Sequence, residues 1–286
     1  MVLCANGAWP QPQQSPQLPK GKAQNGVVRF IALGDTGTGE KGQFAVARQM
    51  ATYHAERPFN MILLLGDNIY PKGAPSELPA KFEKPYADLL KLGVSFRAVL
   101  GNHDVDHGGG IGQTNYKPFN MAGQFYYSFV EGNGLVEFFA LNSNRMDQTQ
   151  LAWLEGALSA SKARWKIAFF HHPIYSSGKK HGSNKKLRLL LEPLFARYGV
   201  SVVFSGHDHI YERTAPQQGV QYFVSGTGGK LRRGDLNRRS PFFIAGDDSV
   251  HSFMFVELTR DLLNFWSVGE EGQILDNGVL IPRRSN

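Results

Sequence analysis

The sequence holds a single cysteine, Cys4, so no internal disulfide can form and cysteine usage says nothing about redox compartment. No run of about 18 apolar residues occurs, which excludes a membrane-spanning helix. Residues 1–26 lack both the basic n-region and the apolar h-region of a signal peptide; a processed or truncated precursor reads this way, and so does a simple tail. Acid is the scarcer charge, 24 Asp+Glu against 31 Lys+Arg in 286 residues, a net +7. That excess either solvates the surface or attracts anionic substrates through the long-range field. Nucleic acid is not an expected partner, because the dense basic cluster Arg232, Arg233, Arg238 and Arg239 has no interleaved aromatics. With 42% hydrophobic and 19% charged residues, wholesale disorder, collagen and coiled coil are also excluded.

What is present is glycine, 32 residues of it, pointing to many turns and a strand-rich fold with functional loops. Residues 1–26, with Pro10, Pro12, Pro16, Pro19 and their glutamines, bury too little to offset ordering entropy and predict a disordered tail. Residues 27–286 show no repeat and no linker and read as one domain. Apolar runs predict buried strands at 27–33, 61–65, 96–100, 165–170 and 200–204, with further strands at 125–130 and 135–142. Helices are predicted at 43–53, 82–92, 148–158 and 187–198, and strand–helix–strand alternation implies parallel crossover units. Residues 221–224, 252–258 and 263–268 predict a closing antiparallel meander.

Five predicted strands end in polar residues of one chemical character. Asp35, Asp67, Asn102, His171, His207 and His209 stand at those C-terminal tips, with Tyr70 three residues past Asp67. Ligands bind at such tips in open α/β sheets. Oxygen and imidazole donors suit iron, zinc or manganese, not a thiolate site. Seven donors are too many for one ion but fit two ions sharing a carboxylate, the arrangement that activates water and clamps a phosphoryl group. A single Gly-Asp after a strand is ordinarily a turn with a helix cap. Five tips carrying these residue types in this order are not explained as turns.

Gly34-Asp35-Thr36-Gly37, Gly66-Asp67-Asn68-Ile69-Tyr70, Gly101-Asn102-His103-Asp104, Phe169-Phe170-His171-His172-Pro173 and Gly206-His207-Asp208-His209 resemble the five blocks of the calcineurin-like metallophosphoesterases. Within that superfamily the chain is similar to the purple acid phosphatases, above all the small single-domain, tartrate-resistant type. Other branches carry a histidine where this chain has Gly37, and Tyr70 matches the tyrosine that purple acid phosphatases use for Fe(III).

The resemblance implies an α/β fold, a four-layer α/β/β/α sandwich of two mixed sheets flanked by helices. It places Asp35, Tyr70, His209 and Asp67 around Fe(III), and Asp67, Asn102, His171 and His207 around a divalent iron, zinc or manganese, with Asp67 bridging. Pro173 selects His171 over His172, which is expected to face away and satisfy a backbone group. His103 is implied to contact substrate phosphate and Asp104 to orient it. His181, ten residues after His171 and followed by Gly182, is implied to protonate the leaving group. Gly226-Thr227-Gly228-Gly229 is expected to border the site through its backbone. His54, His107 and His251 have no motif support.

The implied activity is hydrolysis of phosphomonoesters by in-line attack of metal-bound hydroxide, with an acidic optimum, on phosphorylated small molecules or phosphoproteins. A secreted or periplasmic location is implied by the family. The alternatives are a phosphodiesterase or nucleotidase, or a non-catalytic metal-binding scaffold.

Overall fold

The computed structural model describes residues 17–283. Apolar runs with β-branched and aromatic residues form β1 (Val28–Leu33), β2 (Met61–Leu64) and β3 (Ser95–Ala98), which pair in parallel. On the other side of β1 the chain's last strands return antiparallel: β11 (Ser252–Leu258), β12 (Leu263–Gly269) and β13 (Ile274–Leu280). This first sheet has the order β13-β12-β11-β1-β2-β3.

The second sheet gathers β4 (Tyr127–Glu131), β5 (Val136–Ala140), β6 (Trp165–Phe169), β7 (Val202–Ser205), β8 (Tyr211–Thr214), β9 (Gln221–Ser225) and β10 (Phe243–Asp247). Its order is β10-β8-β9-β7-β6-β5-β4, with β5, β6, β7 and β9 parallel.

Strand alternation builds two cores. Phe138 and Ala140 of β5, Ile167 and Phe169 of β6, and Phe204 of β7 face the first sheet, where Phe30 meets Phe138 edge-on at 5.2 Å. Their neighbours Phe139, Ala168 and Val203 face outward onto α5 (Gln148–Ala160) and α6 (Lys185–Arg197), through Leu154, Leu158, Leu191 and Phe195. Outside the first sheet, α1 (Lys41–Glu56) lays Tyr53 against Phe253 at 5.5 Å. The α/β/β/α layering expected from the sequence is the one found.

Three expectations are corrected in detail. The helix predicted over 82–92 is a π-helical turn, Pro79–Glu83, followed after Tyr86 by the short α2 (Ala87–Lys91). The predicted meander is β11–β13, while residues 221–225 belong to the other sheet, parallel to β7. Strands β8, β10 and β13 were not predicted, since Glu212-Arg213, Gly246-Asp247 and Asp276-Asn277-Gly278 carry charge or turn chemistry. Residues 1–16 of the expected tail lie outside the described residues. From residue 17 onward the chain touches the body: Leu18 packs on the core and the Gly21 N–H donates to Glu56 O at 2.8 Å.

Candidate metal centre

The tips of β1, β2, β3, β6 and β7 meet at one end of the sandwich, so the site is assembled by the two sheets jointly. The first sheet contributes oxygen: Asp35, Asp67, Tyr70, and Asn102 at the start of the one-turn α3 (Asn102–Val105), which the equally short α4 (Ile111–Thr114) follows. The second contributes nitrogen: His171, His207 and His209. Asp35, Asp67 and His207 have φ of 58°, 51° and 70°, left-handed values that non-glycine residues adopt rarely and mostly at functional turns.

The Tyr70 hydroxyl sits at the centre. It donates to Asp35 Oδ1 at 3.0 Å and Asp67 Oδ2 at 2.9 Å, and lies 3.3 Å from His209 Nε2. Burial and then the two carboxylates raise the phenol's pKa far above its ordinary 10.0. Asp67 reaches the other half through Oδ1, which accepts the His103 N–H at 3.0 Å and lies 3.5 Å from His171 Nε2. Burial opposes ionisation of Asp67, yet the nearby His171 and His103 hold its carboxyl below the usual 3.8. Burial likewise opposes the charge on His171, and Asp67 and Asp35 outweigh it, raising His171 to about 9. His171 Nε2 lies 3.2 Å from Asn102 Oδ1 and 3.1 Å from His207 Nδ1.

The donor chemistry fits cations. Ligand atoms of Asp35, Asp67 and His171 lie within 4.8 Å of one another, and so do those of His171, His172 and His207. Two buried carboxylates aimed at one phenol form a negative pocket of the kind that would suit a hard cation.

Gly37 explains the missing histidine of the first block. A Cβ there would stand 1.8 Å from Asn68 O, and the Tyr70 N–H donates to Gly37 O at 2.8 Å. Any side chain at 37 would push away the segment that carries Tyr70.

Two expectations about individual residues are corrected. Asp104 accepts no hydrogen bond from His103. Its buried carboxylate takes the N–H groups of Gly101, Asn68 and Ile69 at 2.8 to 3.0 Å, and the amides of Asn68 and Gln113, tying the loop after β2 to the loop after β3. His103 is oriented instead by Pro71 O, 2.6 Å from its Nδ1, leaving Nε2 4.0 Å from Asp67 Oδ2. His172 does not face away: its ring lies 4.5 Å from that of His207, and its Nδ1 is 2.9 Å from Ser143 Oγ.

His181 is brought to the site, its ring 4.4 Å from His207. With His172, Lys180, Asn184 and His207 it lines a cavity of about 300 Å³. Burial first, then Arg232, Lys180 and His209, lower its pKa below 6.5 against the opposing pull of Asp208. The Gly226–Gly229 turn approaches by backbone, with the Gly228 N–H donating to Gly34 O and that of Lys230 to Asp35 O. Sequence reasoning missed Lys230, whose Nζ stands 5.0 Å over the Tyr70 ring, and Ser143; neither lies in a motif block. His54 meets Phe59 edge-on and His251 lies against Thr227 O, away from the ligand cluster.

The calcineurin-like phosphoesterase family model matches residues 28–211. Purple acid phosphatase 17 of Arabidopsis thaliana is 31% identical over 244 residues, covering 74% of this chain and 72% of that protein. Human tartrate-resistant acid phosphatase type 5 is 28% identical over 303 residues, covering 91% and 92%. Among solved structures, a purple acid phosphatase from yellow lupin seeds superposes with a TM-score of 0.76 at 19% identity, over 90% of this chain and 54% of that one. GAP50, described as the anchor in the inner membrane complex of Plasmodium, superposes with 0.73 at 20% identity, over 90% of each chain. At these identities the structures establish the fold alone; family model, sequence relatives and ligand cluster together establish more. The chain belongs to the calcineurin-like metallophosphoesterases and, within them, to the purple acid phosphatase family.

Proposed function

We propose that this chain is a dinuclear-metal acid phosphatase acting on phosphomonoesters. The observation that carries the reading is the convergence of Asp35, Asp67 and His209 on the Tyr70 hydroxyl, continued through Asp67 to His171, Asn102 and His207. Asp35, Tyr70, His209 and Asp67 would hold Fe(III), and Asp67, Asn102, His171 and His207 a divalent iron, zinc or manganese. Such a pair supplies Lewis acidity to the phosphoryl oxygens and lowers the pKa of water.

The chain's own groups do the rest. His103 donates from Nδ1 to Pro71 O and turns Nε2 toward the cluster, so that in its doubly protonated form the ring offers a second donor to a phosphate oxygen. His181 lines the adjoining cavity, where a leaving oxygen departs, and delivers a proton to it. A net +7 favours the approach of anionic esters. By kinship with its relatives the protein is assigned to a secreted or periplasmic setting.

The test is metal content, colour and substrate preference of the purified protein. Two metals per chain, iron among them, should accompany a broad visible charge-transfer band, with p-nitrophenyl phosphate hydrolysed faster than its bis-ester. Tyr70→Phe should abolish the band and keep most of the metal. Iron bound without colour would refute the phenolate assignment, and preference for the bis-ester would make the enzyme a diesterase.

A further inference from the structure

The loop between β6 and α6 that carries His181 is held by carboxylates from outside it. Asp208, fully buried, accepts the Ser176 hydroxyl at 2.5 Å and the Gly182 N–H at 3.4 Å. The Ser176 hydroxyl oxygen in turn accepts the Gly178 N–H at 3.0 Å. From β8, Glu212 accepts the Ser177 N–H at 2.7 Å. From the segment between β9 and β10, Asp235 accepts the Lys180 N–H through Oδ1 at 2.9 Å and the Lys179 N–H through its backbone carbonyl at 2.8 Å. The loop lies tight on its floor: a Cβ at Gly178 would meet the Asp208 carboxylate at 2.6 Å. Residues 177, 178, 179, 180 and 182 thus all have their amides taken, flanking His181 on both sides.

Carboxylate acceptors make stronger, shorter bonds to N–H groups than neutral ones do, so this arrangement stiffens an otherwise glycine- and lysine-rich loop. It is also registered to the metal cluster. Asp208 stands between His207 and His209 in sequence, and the Arg232 N–H donates to His209 O while its guanidinium lies 3.5 Å from Asp235.

We propose that Asp208 and Asp235 are positioning residues that clamp the 176–182 loop at different points and fix the His181 imidazole beside His207. The inference rests on the reading of His181 as the proton donor to the leaving group. Neither carboxylate touches substrate; each acts through the loop backbone.

The test uses the full-length, metal-loaded protein with Asp235→Ala, Asp235→Asn and His181→Ala, singly and combined. Asp235→Ala should lower kcat on an alkyl phosphate roughly 10- to 100-fold, as a misplacement of about 1 Å does. The loss on p-nitrophenyl phosphate should be smaller, because that leaving group hardly needs a proton. KM and metal content should hold. Asp235→Asn keeps an acceptor for the Lys180 N–H and should restore most of the rate. In a His181→Ala background, Asp235→Ala should cost nothing further.

Equal losses on both substrates, or a full additional loss without His181, overturn the proposal. Amide hydrogen exchange reads the clamp without turnover. Exchange at Lys180 should accelerate in Asp235→Ala, and at Gly182 in Asp208→Ala, with β6 and β7 still protected. Unchanged exchange overturns the clamp. A wild-type protein that binds metal yet cleaves neither ester defeats the phosphatase reading instead, and the exchange result still decides the clamp.

Discussion

Asp67 is the residue on which the two halves of the cluster depend, because its carboxylate oxygens point to different partners. Oδ2 takes the Tyr70 hydroxyl and Oδ1 faces His171 and the His103 N–H. Replacing it with asparagine removes a negative charge from between two cations, so Asp67→Asn should lose both metals. Asn102, whose side chain approaches only the His171 half, should on change to alanine weaken one site (about one metal of two lost by elemental analysis). Equal and mild losses from the two variants would argue against a shared centre. The candidate ligands were legible in the sequence because each follows a strand that announces itself by apolarity. His172 and Asp104 were not, for a physical reason: they share motif blocks with ligands, and sequence does not reveal which way a side chain turns. Asp104 lies two residues past Asn102, yet its carboxylate is consumed by five backbone and amide donors.

Among the elements, those whose burial is continuous could be read and those held by polar partners could not. Strands β1, β2, β6 and β7 are buried almost throughout and stood out as apolar runs. Strand β8 buries Glu212, and β13 runs through Asp276, which takes Arg213 and Tyr211 across the fold at 2.7 and 2.8 Å; such tertiary pairing leaves no local signature. The end of β10 gives a pH expectation. Burial disfavours the charged form of Asp248, but the Leu236 N–H and the Arg238 guanidinium outweigh it and hold its carboxyl below the ordinary 3.8. A carboxyl whose folded pKa is depressed adds stability that is present above the unfolded value and is lost as pH falls through the folded one. Urea denaturation should therefore show Asp248→Asn less stable than wild type at pH 6, with the gap narrowing as pH falls below 3.8. A gap that does not narrow below 3.8 would deny Asp248 this role.

At the scale of the whole molecule, candidate oxygen ligands on one sheet and candidate nitrogen ligands on the other would make metal binding a cross-link between sheets. An ion at a hundredfold its Kd adds about 2.7 kcal/mol to folding stability, so a chelator should lower Tm by roughly 5 °C or more. Thermal unfolding that ignores chelation would show that the cluster holds no ion tightly. Another feature bears on how the chain comes into being. Strand β1 has β2 on one side and, on the other, β11 from the end of the chain, with Arg29 and Glu257 paired across 228 residues of sequence. At a synthesis rate of about 5–20 residues per second, a nascent β1 waits roughly 10 to 45 s for that neighbour. Its Phe30, Ile31 and Ala32 backbone meanwhile offers an open, apolar edge, the kind that recruits other chains. A chain stopped after Asp248 should accordingly aggregate or stay bound to chaperones, and a soluble monomer of that length that binds metal would contradict it. The central strand of the first sheet is thus translated early and becomes safe only late, a vulnerability on the ribosome written into the strand order.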